Sequence, residues 1–250
     1  MDITGNTILI TGAGTGIGLE AAKLFDQHGN RLIMVARNED RLEREAARLK
    51  DAHPFACDIS DADQVGRLVD YVRSEHGEIN MIFLNAGVTN NYQLFGDEDM
   101  FEHASEEMAT NYLSAVRLTQ LFEPLLRDKP NAAMIITTSG VALVRDVQNP
   151  TYSATKAALH SLVLAMRFVL QKTGSDIKVF ELMAPLVDTP FAKDVNSDAK
   201  VPPAEVADAL LTNLEQDVLG MHVGITADMY QTYLESPERA LRELNAVTGG

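Results

Sequence analysis

Three side chains able to move a proton lie within one stretch, SGVALVRDVQNPTYSATK: Ser139, Tyr152 and Lys156. Tyr152 and Lys156 are four residues apart on a helix that the sequence opens just after Pro150. Residues at that spacing share a helix face, with Cβ atoms about 5–6 Å apart. An ammonium so near favours the phenolate and is expected to lower the tyrosine pKa from about 10. A tyrosine moved toward neutrality serves as a general acid or base. Ser139 ends a strand-like run, Met134–Ile136 followed by Thr137 and Thr138, and its hydroxyl can bond a carbonyl or alcohol oxygen. Many solvated helices carry a Tyr–Lys pair at this spacing, so its weight depends on the elements around it.

Those elements alternate. Apolar, β-branched runs at Thr7–Thr11, Arg31–Ala36, His53–Cys57, Met81–Asn85, Ala132–Thr138 and Lys178–Met183 read as strands, with a seventh over His222–Thr226. Helical periods lie between them: Gly16–His28, Asn38–Lys50, a helix capped by Ser60 and running to about His76, a long helix over Phe101–Arg127, and the site helix Tyr152–Thr173. Two more helices follow, one opened by Pro202–Pro203 and one over Pro237–Val247. Strand–helix alternation at this interval predicts an α/β fold. It is one doubly wound, Rossmann-type domain over residues 1–250, with a mainly parallel seven-stranded sheet covered by helices on both faces.

The loop TGAGTGIG, residues 11–18, joins the first strand to the first helix. Its spacing is T-G-x-x-x-G-x-G, with Gly12, Gly16 and Gly18; Ile17 stands between the last two. Glycines here let the backbone approach a pyrophosphate, and the next helix offers free N–H groups and a positive dipole end. A glycine-rich loop at the first strand–helix turn of an alternating chain is a strong sign of a dinucleotide site.

Composition narrows the function. A net charge of −15 argues against nucleic acid and anionic membrane surfaces as partners. The one cysteine, Cys57, has no internal partner, which predicts a reducing, cytoplasmic setting. The N-terminus MDITGNT has neither a basic segment nor a long apolar run, and no membrane span is expected. The histidines have no metal-ligand spacing, so no metal is expected. The acidic residues Asp97–Asp99, Glu102, Glu106 and Glu107 read as a solvated face.

Taken in order, TGAGTGIG, Asp58 after the third strand, Asn85-Ala86-Gly87, Asn111, Ser139 and Tyr152-x-x-x-Lys156 resemble the short-chain dehydrogenase/reductase family in its roughly 250-residue form. The serine stands 13 residues before the tyrosine (152 − 139), as in that family. The resemblance implies that Tyr152 protonates a carbonyl oxygen as hydride arrives. Lys156 would lower its pKa and hold the nicotinamide ribose, and Ser139 would orient the substrate oxygen. Asn111 would bend the long helix and anchor a proton-relaying water. Asp58, with Ile59 beside it, would take the adenine, and Asn85, Ala86 and Gly87 would line the adenine ribose side and support the sheet. Ile17 in the glycine loop, and Pro185, Val187 and Thr189 after the sixth strand, complete the expected cofactor contacts. The family's usual Pro-Gly after that strand is replaced by Ala184–Pro185. The loop after Thr189 is short, which suggests an open site, and the substrate region falls in about 186–203 and the C-terminal segment.

The function so implied is hydride transfer between a nicotinamide cofactor and a carbonyl or secondary alcohol. The alternative is a non-catalytic NADP(H)-binding regulator or sensor on the same fold; keeping all four polar site residues favours the enzyme. For the cofactor, NAD-binding members of such folds end strand two with an acid that accepts from the ribose 2′-OH. Here that position is Ala36, followed by Arg37, whose guanidinium can pair with a 2′-phosphate. Thr15 and Asn38 add neutral donors. NADP(H) is therefore expected over NAD(H). Finally, the site helix is apolar around nearly its whole circumference, including Leu162, Leu164, Phe168 and Val169, and the long helix repeats the excess. A helix lying on a sheet needs one apolar stripe only. This predicts a homodimer or homotetramer.

Overall fold

The computed structural model describes residues 1–247. Seven parallel strands run in the order β3-β2-β1-β4-β5-β6-β7: β1 Thr7–Thr11, β2 Arg31–Ala36, β3 Ala52–Ala56, β4 Met81–Leu84, β5 Ala133–Ser139, β6 Lys178–Ala184 and β7 Gly220–His222. Helices α1 (Gly16–Gln27), α2 (Glu39–Ala46), α3 (Ala62–Glu75), α4 (Met100–Glu107), α5 (Ser114–Leu126), α6 (Pro150–Thr173) and α7 (Pro203–Glu215) connect them. Helices α8 (Thr226–Glu235) and α9 (Pro237–Val247) follow β7.

The strand period explains the two-faced core. Ile8, Ile10, Met34, Phe83, Phe180 and Leu182 face one way, under Phe25 of α1 and Leu210 of α7. Leu9, Ile33, Ile82, Met134 and Ile136 face the other way, under Leu68 of α3, Phe122 of α5, and Leu159 and Val163 of α6. Each such side chain contributes roughly 1.5–3 kcal/mol on burial. By length and composition alone α6 could cross a membrane. Here it packs on the sheet and carries a buried lysine.

The chain leaves β1 toward β2 and β3, then returns to the other side of β1 for β4. Such a reversal opens a crevice at the C-terminal strand ends, where ligands of these folds bind. The glycine loop, Asn85–Gly87 and Ser139 all stand at that edge, and Ser139 is in register with Ala184 of β6.

Four local expectations need correction. Helix α2 ends at Ala46 rather than Lys50, because the Asp26 carboxylate accepts from the backbone N–H groups of Lys50 (2.8 Å) and Asp51 (3.3 Å). The cap of α3 is Asp61, which accepts from Asp63 N and Gln64 N; the Ser60 hydroxyl goes to Asp58 Oδ1 instead, at 2.7 Å. Strand β7 lies at Gly220–His222, not His222–Thr226, since Thr226 starts α8 and its hydroxyl donates to Met183 O and Val223 O. The long helix is also not one α-helix. Residues Met108–Leu113 form a π-turn, with Ser114 N donating to Ala109 O, so α4 and α5 are joined by a widened segment holding Asn111.

Candidate active site

At the cofactor end of the crevice, side chains are excluded by the backbone itself. Gly12 has φ +69°, and a Cβ there would stand 3.0 Å from Ala86 Cα. A Cβ on Gly18 would lie 2.5 Å from Gly12 O. The loop is closed against β4 by the Thr11 hydroxyl, which accepts from Asn85 N (3.0 Å) and Ala86 N (3.1 Å). The Asn85 side chain is spent on the sheet: its amide approaches Thr11 O, and its carbonyl accepts from the Thr137 hydroxyl at 3.2 Å. Gly12, Thr15, Ala36, Arg37, Asn38, Asp58, Ile59, Ala86 and Gly87 line one cavity, with Gly14 and Arg41. The lining suits a dinucleotide by its chemistry, with open backbone for phosphate and polar side chains at Asn38 and Asp58.

Ile17 is half-buried and packs against the core below the loop. Arg41 was not anticipated. It sits in the first turn of α2, where Asn38 caps the helix by accepting from Arg41 N at 2.9 Å, and it lies against the glycine loop. The available signal was a second arginine in the first turn of the helix that follows strand two, hidden in a charged segment.

At the catalytic end, β5 delivers Ser139 and α6 delivers Tyr152 and Lys156. The Ser139 hydroxyl donates to Ala184 O (3.2 Å) and faces the Tyr152 phenol. Lys156 is buried, and its Nζ donates to Thr137 O at 2.8 Å, 5.5 Å from the Tyr152 ring centre. Asn111 is also buried. Its amide nitrogen donates to Val88 O (2.9 Å) and Thr155 Oγ1 (3.0 Å), and its Oδ1 accepts from Val88 N at 2.8 Å. The π-turn thus brings one amide into contact with both the loop after β4 and the site helix.

The electrostatics reverse the expected sign. Burial pushes the Tyr152 phenol well above its ordinary range; the charge of Glu107 adds to this, and Ser139 opposes it. Burial also pushes the Lys156 ammonium down to about 8. Lys156 is buried and Tyr152 half-buried, so each favours its neutral form, and Lys156 spends its hydrogen bond on Thr137 O.

The segment after β6 closes over the site. Val187 is buried in the core, paired by a bridge to Val201, so its side chain supports the loop rather than facing the crevice. Thr189 Cγ2 would be 3.0 Å from a Cβ on Gly16, which puts the loop directly on the phosphate cradle. Pro185 lies near Gly224. Phe191 then meets Tyr152 with ring centres 5.6 Å apart. The C-terminal segment reaches the site as well: Met229 of α8 would stand 3.0 Å from a Cβ on Gly140, next to Ser139. Nothing in the local sequence marked Phe191 or Met229, because their role depends on where the chain returns. Glu107, expected on a solvated face, is instead fully buried beside the site.

Comparison with known proteins agrees with this geometry. The short chain dehydrogenase family model matches residues 6–200. An uncharacterized oxidoreductase of Bacillus subtilis, DltE, is 38% identical over 190 residues, covering 76% of this chain and 74% of that protein. A fatty acyl-CoA reductase of Mycobacterium tuberculosis is 30% identical over 215 residues, covering 84% of this chain and 72% of that protein. Among solved structures, a short chain dehydrogenase from Burkholderia cenocepacia in complex with NADP has a TM-score of 0.83 at 24% identity, covering 97% of this chain and 98% of that one. One from Burkholderia phymatum in complex with NAD has a TM-score of 0.81 at 21% identity, covering 91% and 92%. The chain belongs to the short chain dehydrogenase family, and it is an oxidoreductase of that family.

Burial of Lys156 makes a stability prediction. With its pKa near 8 folded against 10.5 ordinarily, the folded chain binds fewer protons than the unfolded chain between those values, so this lysine's contribution to stability rises with pH across that window. At pH 7 the buried ammonium is a net cost. Lys156→Met is expected to raise the melting temperature at pH 7 by ~3 °C or more, at about 2–4 °C per kcal/mol for a chain of this size. The gain over wild type should shrink toward pH 10. A variant that melts below wild type at pH 7 in thermal scans would contradict this.

Proposed function

We propose that the protein transfers a hydride between NADP(H) and a carbonyl or secondary alcohol, with Tyr152 giving or taking the proton. The observation that carries this reading is the convergence of the half-buried Ser139 and Tyr152 with the buried Lys156 beside a glycine cradle. When bound, the dinucleotide supplies or accepts the hydride. In reduction, Ser139 holds the carbonyl oxygen toward the phenol. Tyr152 gives that oxygen its proton as the carbon gains two electrons and hydrogen, and an alcohol results. Lys156 returns a proton to the phenolate, a transfer that suits an ammonium with a pKa near 8. It would also hold the nicotinamide ribose. Asn111 fixes the π-turn and the loop at Val88, and with them the path along which a water relays protons. Asp58 and Ile59 would take the adenine, Ala86 and Gly87 the ribose side, and the loop carrying Pro185, Val187 and Thr189 the nicotinamide. A regulator without chemistry needs none of these proton donors, which is why the catalytic reading is favoured over it. A reducing cytoplasmic setting agrees with Cys57, a buried thiol that burial pushes up to about 11.

The test is a cofactor-oxidation screen against small ketones, aldehydes and quinones. Wild type should turn over at least one class, and Tyr152→Phe should lose nearly all of that turnover while binding cofactor almost as well. Turnover by Tyr152→Phe within a few-fold of wild type would sink the assignment.

For the cofactor, Ala36 removes the acid that would repel a 2′-phosphate, and Arg37 and Arg41 both line the cavity where it would lie. Charge-assisted bonds contribute roughly 1.5–3 kcal/mol each, so preference for NADP(H) should be of order ten- to hundred-fold. Arg37→Ala should lose most of it, Arg41→Ala part of it, and Ala36→Asp should turn it toward NAD(H). Equal wild-type affinity for the two cofactors in titrations would overturn this reading.

We also propose a homodimer or homotetramer. Leu113, at the end of the π-turn before α5, is 51% exposed, and Leu164, Phe168 and Val169 of α6 remain 49%, 66% and 54% exposed. Light scattering at micromolar concentration should give at least twice the 27.4 kDa chain mass, and a monomeric mass would refute it.

A further inference from the structure

Glu107 is the last residue of α4, four positions before Asn111, and its residue surface is 0% exposed. Its neighbours Glu102 and Glu106 are exposed, so only one carboxylate of the acidic stretch has been drawn inside. Both of its oxygens are engaged. Oε1 accepts from Asn90 N at 2.7 Å, and Oε2 accepts from the Thr151 hydroxyl at 2.6 Å. Thr151 has one proton, given to Glu107, so the 2.8 Å contact between Thr151 Oγ1 and Tyr92 Oη has Tyr92 as its donor. A directed chain results: Tyr92 to Thr151 to Glu107.

That chain joins three pieces of the site: the loop after β4, the end of α4 just ahead of the π-turn, and the first turn of α6. Thr151 immediately precedes Tyr152. We propose that Glu107 is a positioning residue for the proton transfer: through Thr151 it fixes the helix turn that carries Tyr152, and its carboxylate sets the charge that the phenol faces. This rests on the role of Tyr152 given above. A buried anion acts strongly on a neighbouring phenol, because little water screens it, and Glu107 is buried. The direction agrees, since Glu107 raises the Tyr152 pKa, while burial raises that of Glu107 itself. The charged or titratable groups around the pair are His103 and Glu106 on α4, Tyr92 in the loop after β4, Asp146 ahead of α6 and Lys156 on α6. His103 partly offsets the burial of Glu107, and Tyr92 stacks on His103 at 5.0 Å. None of the others takes a hydrogen bond from Thr151.

Glu107→Gln separates charge from position. Its amide can donate to Thr151 Oγ1, which then turns its own proton to Tyr92, so the link survives without the charge. Thr151→Val keeps the charge and breaks the link. The measurement is the pH profile of carbonyl reduction, with KM and kcat separated, on whichever substrate wild type turns over and Tyr152→Phe does not. In Glu107→Gln the alkaline fall in rate should move to lower pH by about half a unit or more, with KM within a few-fold of wild type. Thr151→Val should lower kcat about tenfold without that displacement. The same titration is read without substrate from the Cζ resonance of Tyr152 in ¹³C-tyrosine-labelled protein, assigned with Tyr152→Phe. There the Glu107→Gln signal should begin to move at lower pH than wild type. Absence of turnover on every substrate would count against the catalytic reading and leave the resonance to judge Glu107. Superimposable titrations in folded wild type and Glu107→Gln would overturn the proposal.

Discussion

The arrangement depends on keeping one lysine out of water. Lys156 enters the sheet end from α6 and meets a single backbone acceptor, Thr137 O. An ammonium so placed is expensive unless it can shed its proton or find a counter-charge. Everything near it answers that constraint. Strand β5 must end where its Thr137 carbonyl points at Nζ and its Ser139 hydroxyl reaches the phenol. Helix α6 must lie with Leu159 and Val163 inside, which turns Tyr152 and Lys156 toward the crevice. Asn111 then holds α6 through Thr155 and the loop after β4 through Val88. The widened turn that presents Asn111 is a departure from α-helix of the kind often found at functional sites.

The two ends of the crevice are built by different means. The cofactor end is made by exclusion: Gly12 and Gly18 leave space that no side chain can enter, and Thr11 clamps the loop to β4. The catalytic end is made by enclosure, with Phe191 from the segment after β6 and Met229 from α8 closing on Tyr152 and Gly140. The strand reversal at β1 and β4 places these ends side by side. Burial of Glu107 strengthens its charge interaction with the phenol.

What the sequence made legible follows the same division. The glycine loop, the Tyr152–Lys156 spacing and six strands of the sheet could be read because each is set by neighbours a few residues away. The readings that failed depend on distant partners. Ser60 looked like a cap until Asp58 took its hydroxyl and Asp61 took its place. The last strand shifted because its pairing with β6, Glu181 opposite Gly220, fixes it rather than its own composition. Glu107 sits in an acidic stretch, and only the approach of Asn90 and Thr151 distinguishes it from Glu106. The phenol pKa was misjudged for a related reason. Helix spacing gives the distance of a charge but says nothing about how much water surrounds it.

The central claim is therefore about solvation. Lys156 carries a pKa near 8 because it is buried with one carbonyl for a partner. The most direct measurement is its titration in the cofactor-free protein, followed by the Cε resonance of ¹³C-lysine-labelled protein and assigned with Lys156→Met. The account predicts one lysine titrating near 8, well apart from the others. A Lys156 resonance titrating at the ordinary value of 10.5 would contradict it.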